Sequence, residues 1–122
     1  MAESHELGKR GEALARLFLE QKGWTILETN WRFGKAEVDL IAKEEDLLVF
    51  VEVKTRSYDY FGAPEEAVNT AKEALLASAA SAYMEKIRHE WEIRFDIIAI
   101  LFHNEKQYEI KHLPDAFFPG QW

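Results

Sequence analysis

Apolar residues recur along the chain with two different periods, and the switches between those periods divide it into seven elements. From Glu6 to Lys22 the spacing is helical: Leu7, Gly11, Leu14 and Phe18 form one stripe with Ala15 beside it, and Gly23 stops the helix. Trp24 to Arg32 predicts a first strand, Phe33 to Lys35 a turn, Ala36 to Lys43 a second strand and Leu47 to Arg56 a third, with Glu44, Glu45 and Asp46 as a solvated hairpin tip. Ser57 to Ala63 reads as a loop, and Pro64 opens a long helix from Glu65 to His89. Its apolar stripe is Val68, Ala71, Leu75, Ala79, Ala82 and Tyr83. Ile93 to Phe102 is a buried fourth strand, His103 to Lys106 a turn, and Tyr108 to Leu113 an edge strand, after which Phe117, Phe118 and Trp122 cap the core. The order α-β-β-β-α-β-β predicts the α/β class, with a mixed five-stranded sheet flanked by helices.

Charges interrupt two of these strands. Along the third, Phe50, Glu52, Lys54 and Arg56 share one face, opposite Val49, Val51, Val53 and Thr55. Along the second, Glu37, Asp39 and Ile41 share a face, opposite Val38, Leu40 and Ala42. Burying a carboxylate or an ammonium costs several kcal/mol per ion, on an order-of-magnitude scale, unless each is paired or bound to a metal. Glu-x-Lys also occurs at Glu20 and Lys22 and at Glu109 and Lys111, where a helix end and an amphipathic strand make solvated pairs. Only Glu52 and Lys54 stand in an apolar strand that follows another one carrying Asp39.

Composition narrows the classes. With 122 residues the chain is long enough for one core and is read as a single domain, residues 1–122. A 48% apolar content beside 30% charged residues belongs to a globular protein and excludes a disordered tail. No apolar run approaches the ~18 residues of a membrane span, and the N-terminal residues lack the apolar core of a secretory signal, so a cytoplasmic protein without a membrane partner is expected. The lack of cysteine excludes disulfides and thiolate metal sites. A net charge of −7 argues against a protein that coats nucleic acid through a general positive field, while leaving room for a local basic groove.

Adjacent antiparallel strands lie roughly 5 Å apart, so Asp39 and Glu52 can converge, and two close carboxylates repel unless a cation sits between them. Mg2+, or Mn2+ in its place, suits that position, because it binds one or two carboxylates and completes its shell with water and phosphate oxygens. It would activate a water and stabilise charge on a scissile phosphate. Lys54 would hold that water or the phosphate, and Arg56 would clamp a neighbouring phosphate with its planar fork. Lys72 falls inside the apolar stripe of its helix, and either snorkels to water or reaches the charged end of the third strand. Glu12 groups with Gly8, Ala15 and Leu19 at the edge of its helix stripe. It is either a carboxylate aimed along the core boundary toward a site or an ordinary solvated glutamate. Gly8 and Gly11 cost a helix about 1 kcal/mol each relative to Ala, which points to a close approach by another backbone or a ligand. Tyr58, Tyr60 and Phe61 either stack on bases or pack their loop onto protein. His5, His89, His103 and His112 lack metal-site spacing and read as scattered surface residues. Arg94 and Asp96 read as a structural charged pair.

Gly8, Gly11 and Glu12, then Gly23, Asn30 and Arg32, GKAEVDLIA at Gly34 to Ala42, VFVEVKTR at Val49 to Arg56, Ala67, Val68 and Lys72, RFD at Arg94 to Asp96, and Ala116 with Phe117 resemble the bacterial YraN-like family across nearly the whole chain. That family is similar to the PD-(D/E)xK nuclease superfamily, which includes Holliday-junction resolvases and many restriction endonucleases. The resemblance implies a restriction-endonuclease-like core in a single endonuclease-like domain, with Asp39 and Glu52 as metal ligands, Lys54 as catalytic lysine and Glu12 as the helix-borne acid. Val38 stands where the superfamily's proline would precede the aspartate. A homodimer bringing two sites to two strands is implied by analogy.

The leading expectation is therefore a Mg2+-dependent nuclease acting on DNA in preference to RNA, on branched or damaged structures. A non-catalytic nucleic-acid-binding or adaptor module with the same fold is the first alternative, and a structural protein with a buried ion-pair network the second.

Overall fold

The computed structural model describes residues 2–57 and 70–117. Expectations placed on Tyr58, Tyr60, Phe61, Pro64, the first turn of the long helix, Val68, Phe118 and Trp122 lie outside the described residues. Helix α1 is Ala2–Gln21, followed by β1 Thr25–Phe33, β2 Ala36–Glu44, β3 Leu47–Ser57, helix α2 Thr70–Ile87, β4 Ile93–Phe102 and β5 Tyr108–Leu113. The five strands form one sheet in the order β1-β2-β3-β4-β5. All neighbours are antiparallel except β3 and β4, which run parallel on either side of α2, as parallel neighbours need a long crossover. This is the mixed five-stranded α/β arrangement that the pattern of apolar positions predicts.

The two helices cover opposite faces. Ala15 and Leu19 of α1 pack with Leu40, Ala42, Val49, Val51 and Val53, while Leu76, Ala79, Ala80 and Tyr83 of α2 pack with Val38, Ile41, Leu48 and Phe50. Both helices are rotated slightly from their expected stripes. On α2 the buried line is Leu76, Ala79, Ala80 and Tyr83, with Leu75 at 41% exposure. Lys72 precedes Leu76 by one turn and so lies on the true inner stripe. On α1 the buried centre is Gly11, Ala15 and Leu19, which carries Glu12 inward from the edge position expected of it. Gly11 sits so close to β3 that a Cβ there would stand 1.9 Å from Thr55 Oγ1. Gly8 has nothing within 4 Å of the same position, so the close approach expected of both glycines belongs to Gly11 alone.

The face alternation expected for β2 breaks at Asp39. Val38 packs on the α2 side with Ile41, whereas Leu40 and Ala42 pack on the α1 side. The physical cause is a fork in the sheet. Pairing of β2 with β3 runs from Glu44 and Leu47 to Leu40 and Val51 and ends there, while β3 stays paired with β4 through Ser57. On β1, between the paired positions Thr29 and Trp31, Asn30 adopts the left-handed φ of 50° that asparagine tolerates well. Strand, turn and helix each impose ordinary local rules, and the fork is where they stop agreeing.

Candidate functional site

Asp39 lies in the fork. Its Oδ2 accepts a hydrogen bond from the Val53 amide at 2.8 Å, so the carboxylate takes the place of a backbone acceptor that the departing β2 no longer supplies. The side chain therefore points along the sheet toward β3 and belongs to neither apolar face. Glu52, the residue before Val53, is only 5% exposed. Its Oε1 is 3.2 Å from Lys54 Nζ and also receives a hydrogen bond from the Lys72 ammonium. Its Oε2 is buried and has no hydrogen-bond partner among the described residues. Lys72 thus reaches the charged end of β3, the second of the two courses open to it, because α2 presents its inner stripe to that strand.

The electrostatics follow from this crowding. Burial, then the negative charge of Glu52, push the Asp39 carboxyl up to about 7 against the opposing Val53 hydrogen bond, and Glu12 adds to the rise. Burial and the neighbouring Lys72 lower the pKa of Lys54. Burial also works against the charge on Lys72, but its hydrogen bonds, led by the one to Glu52, outweigh that and raise its pKa. Two carboxylates share this buried space with two lysines, both of which pair with Glu52. A small hard cation matches that donor set, through Asp39 and the unbonded Oε2 of Glu52. No group of three or more Asp, Glu or His residues suited to a metal ion occurs among the described residues, so water and a ligand would complete its shell.

Asp39, Glu52 and Lys72 line a cavity of about 410 Å³ together with Lys35, Glu37 and Leu75. Glu12 approaches from α1, close enough for its charge to act on Asp39. Arg56 is half-buried and turns onto its own strand, its Nη1 donating to the Thr55 carbonyl at 2.9 Å, outside the residues that line the cavity. Lys35 and Leu75 carry no signal in the sequence: one is a turn lysine and the other one more leucine in a helix. Their place on the cavity wall depends on the β1–β2 hairpin and on the rotation of α2.

A second polar cluster is structural. Asp96 is fully buried and accepts hydrogen bonds from Arg94 Nε and Nη2 at 2.7 and 2.8 Å, from the Asp115 amide at 2.9 Å, and contacts His112 Nε2 at 2.8 Å. This is the structural pair expected of Arg94 and Asp96, extended to tie β4, β5 and the segment after β5 together. Two histidines depart from the surface placement expected of them. His112 is nearly enclosed, bridging Asp96 and Lys22 Nζ, which lies 2.9 Å from its Nδ1. His89 is buried at the end of α2, its Nε2 3.0 Å from the Glu92 carbonyl. Lys22, paired with Glu20 in one of the decoy triplets, is thereby held by His112.

An α/β fold built on one forked mixed sheet, with carboxylates and lysines meeting at the fork, defines the class of protein. The model of the family described as "Uncharacterised protein family UPF0102" matches residues 11–100. The chain belongs to this family, the one its YraN-like motifs resemble. It is 51% identical over 118 residues to UPF0102 protein FP2501 of Flavobacterium psychrophilum, covering 97% of this chain and 98% of the relative. The UPF0102 proteins of Bacteroides thetaiotaomicron and Thermodesulfovibrio yellowstonii are each 45% identical, over 98% and 93% of this chain and 98% and 96% of theirs. Among solved structures, that of Pyrococcus furiosus SfsA in complex with Ca2+ is similar at 16% identity and a TM-score of 0.39, covering 90% of this chain and 64% of the other. No helix among the described residues is long and apolar enough to cross a membrane.

Proposed function

We propose that this protein is a Mg2+-dependent phosphodiesterase that cuts DNA, with branched or damaged structures as its substrates and two copies acting on two strands. The observation that carries the reading is the meeting of Asp39 and Glu52 at the fork, one oxygen of Glu52 left unbonded and two lysines at the other. Asp39 and Glu52 would hold Mg2+, or Mn2+ in its place, which supplies Lewis acidity at the scissile phosphate and an activated water. Lys54 would hold a phosphate oxygen as its ammonium, and its lowered pKa makes its neutral amine available to take the proton that the attacking water loses. Lys72 exchanges Glu52 for a phosphate oxygen when substrate enters. Glu12, from the α1 side, orients the water. Arg56 leaves the Thr55 carbonyl to clamp the next phosphate. A cytoplasmic location belongs to the same proposal.

Divalent-metal titration by calorimetry, together with cleavage of a panel of duplex, flap and junction DNAs, tests this. Metal-dependent cleavage by the wild type that Asp39→Ala and Glu52→Ala both lack is the expected result. A wild type that neither binds metal nor cuts anything those variants spare overturns it. Binding of DNA that survives loss of Asp39, without cleavage, marks an adaptor instead. The two ammonium groups on Glu52 Oε1 favour one further reading, a structural ion-pair network, which predicts loss of stability on removing Lys54 with no metal dependence anywhere.

A further inference from the structure

The β1–β2 hairpin leads out of the fork and carries an aromatic pair that the chemistry at Asp39 does not use. Trp31 and Phe33, two apart on an edge strand, hold their rings within 5° of parallel at a centroid separation of 6.3 Å. Trp31 is anchored: Tyr83 meets it edge-on at 5.0 Å, and the Tyr83 hydroxyl is itself held by Glu28 at 3.2 Å. Lys86 Nζ lies 5.9 Å from the Trp31 ring centre. Phe33 is 48% exposed at the end of the pair, its ring stacked on that of Trp31.

The hairpin also places this pair beside the cavity. Phe33 pairs with Ala36 across the turn, and Ala36 and Lys35 line the cavity together with Asp39 and Glu52. One strand spacing, about 5 Å, therefore separates the backbone of Phe33 from that of Ala36 on the cavity wall. Arg32 is engaged with Glu37 at 3.3 Å, while Lys86 lies by the Trp31 ring and Lys35, two residues after Phe33, lines the cavity, on a chain whose net charge is −7. Flat apolar faces, a neighbouring ammonium group and an adjoining polar cavity are complementary to a nucleotide, whose base stacks while its phosphate stays near a cation. A paired base in a duplex is already stacked on both faces and is not available to such a platform.

We propose that the hairpin tip, through Phe33 backed by Trp31, stacks an unpaired nucleobase next to the cavity and so selects nucleic acid with single-stranded character. The proposal rests on the phosphodiesterase reading only for the placing of the scissile phosphate in the cavity. Fluorescence anisotropy in EDTA, which prevents cleavage, measures it with labelled oligo(dT) and with a blunt duplex of equal length. The wild type is expected to prefer oligo(dT), Phe33→Ala to weaken that binding roughly tenfold while changing duplex binding by less than about twofold, and Phe33→Trp to restore it. Because Phe33 is half-exposed, an unchanged melting temperature of Phe33→Ala separates lost binding from lost folding. A wild type without preference, or a Phe33→Ala variant that weakens both probes equally or neither, overturns the proposal. Phe33-dependent binding without any cleavage keeps the platform and removes the phosphodiesterase reading, whereas metal-dependent cleavage with Phe33-independent binding removes the platform alone.

Discussion

The Val53 amide donates to the Asp39 carboxylate across the point where β2 leaves β3, so one acidic side chain both closes a gap in the sheet and faces a second carboxylate, Glu52. Structure and chemistry share this group. Removing it altogether exposes an unpaired amide, and neutralising it removes a repulsion.

Asp39→Asn and Asp39→Ala are therefore expected to differ in the size of their effect at alkaline pH. The folded-state pKa of Asp39 is raised to about 7, above its unfolded value, so its contribution to stability is fully present below about pH 4 and lost as pH rises through about 7. At pH 8 the amide, which still accepts from Val53, is expected to stabilise the metal-free protein by on the order of 2–4 kcal/mol. Asp39→Ala forfeits part of that gain, by about 1–3 kcal/mol, because the Val53 N–H loses its acceptor. Urea denaturation at pH 4 and pH 8 in EDTA measures both.

Lys72 pairs with Glu52 Oε1, and under the phosphodiesterase proposal its charge would oppose a divalent cation held through Oε2 of the same carboxylate. Lys72→Met is expected to tighten Ca2+ binding several-fold, about 1 kcal/mol, while lowering Mg2+-dependent cleavage. Calorimetry on the variant, with single-turnover cleavage alongside, separates the two effects. Unchanged metal affinity would remove Lys72 from the site.

Gly11 and Gly8 are one helical turn apart and are expected to respond in opposite directions to alanine. Gly8→Ala gains helix propensity in open space and stabilises by ~0.5–1 kcal/mol. Gly11→Ala drives a methyl group into Thr55 and destabilises by ~1–3 kcal/mol. A double-mutant cycle with Thr55→Ala recovers part of that loss if the contact is the cause.

Asp96 gives the acid limb of the stability profile. Burial disfavours its charge, yet the hydrogen bonds from Arg94, His112 and the Asp115 amide outweigh burial and hold its carboxyl below the ordinary range. Its contribution is present above the unfolded value near 3.9 and lost as pH falls through the lower folded one. Asp96→Ala, which strands Arg94, is expected to cost about 3–5 kcal/mol, measured by denaturant midpoint at neutral pH.

Much of this protein is legible in its sequence because the governing signals are local. A near-continuous apolar run places β4 at Ile93–Phe102 and period-two alternation places β5 at Tyr108–Leu113, both with the bounds observed, and the acids that break β2 and β3 single out Asp39, Glu52 and Lys54 as candidates from two look-alike triplets. Face assignments on β3 hold for the same reason, since β4 keeps that strand regular throughout its length. What the chain could not announce depends on partners distant in sequence. The slip of β2 at Asp39 arises from where its ladder with β3 ends, the inward turn of Glu12 from how closely Gly11 lets α1 approach Thr55, and the position of Lys35 from the direction in which the hairpin leaves the sheet. Residue type and spacing determine which groups are available for chemistry. Long-range pairing and packing decide which of them meet.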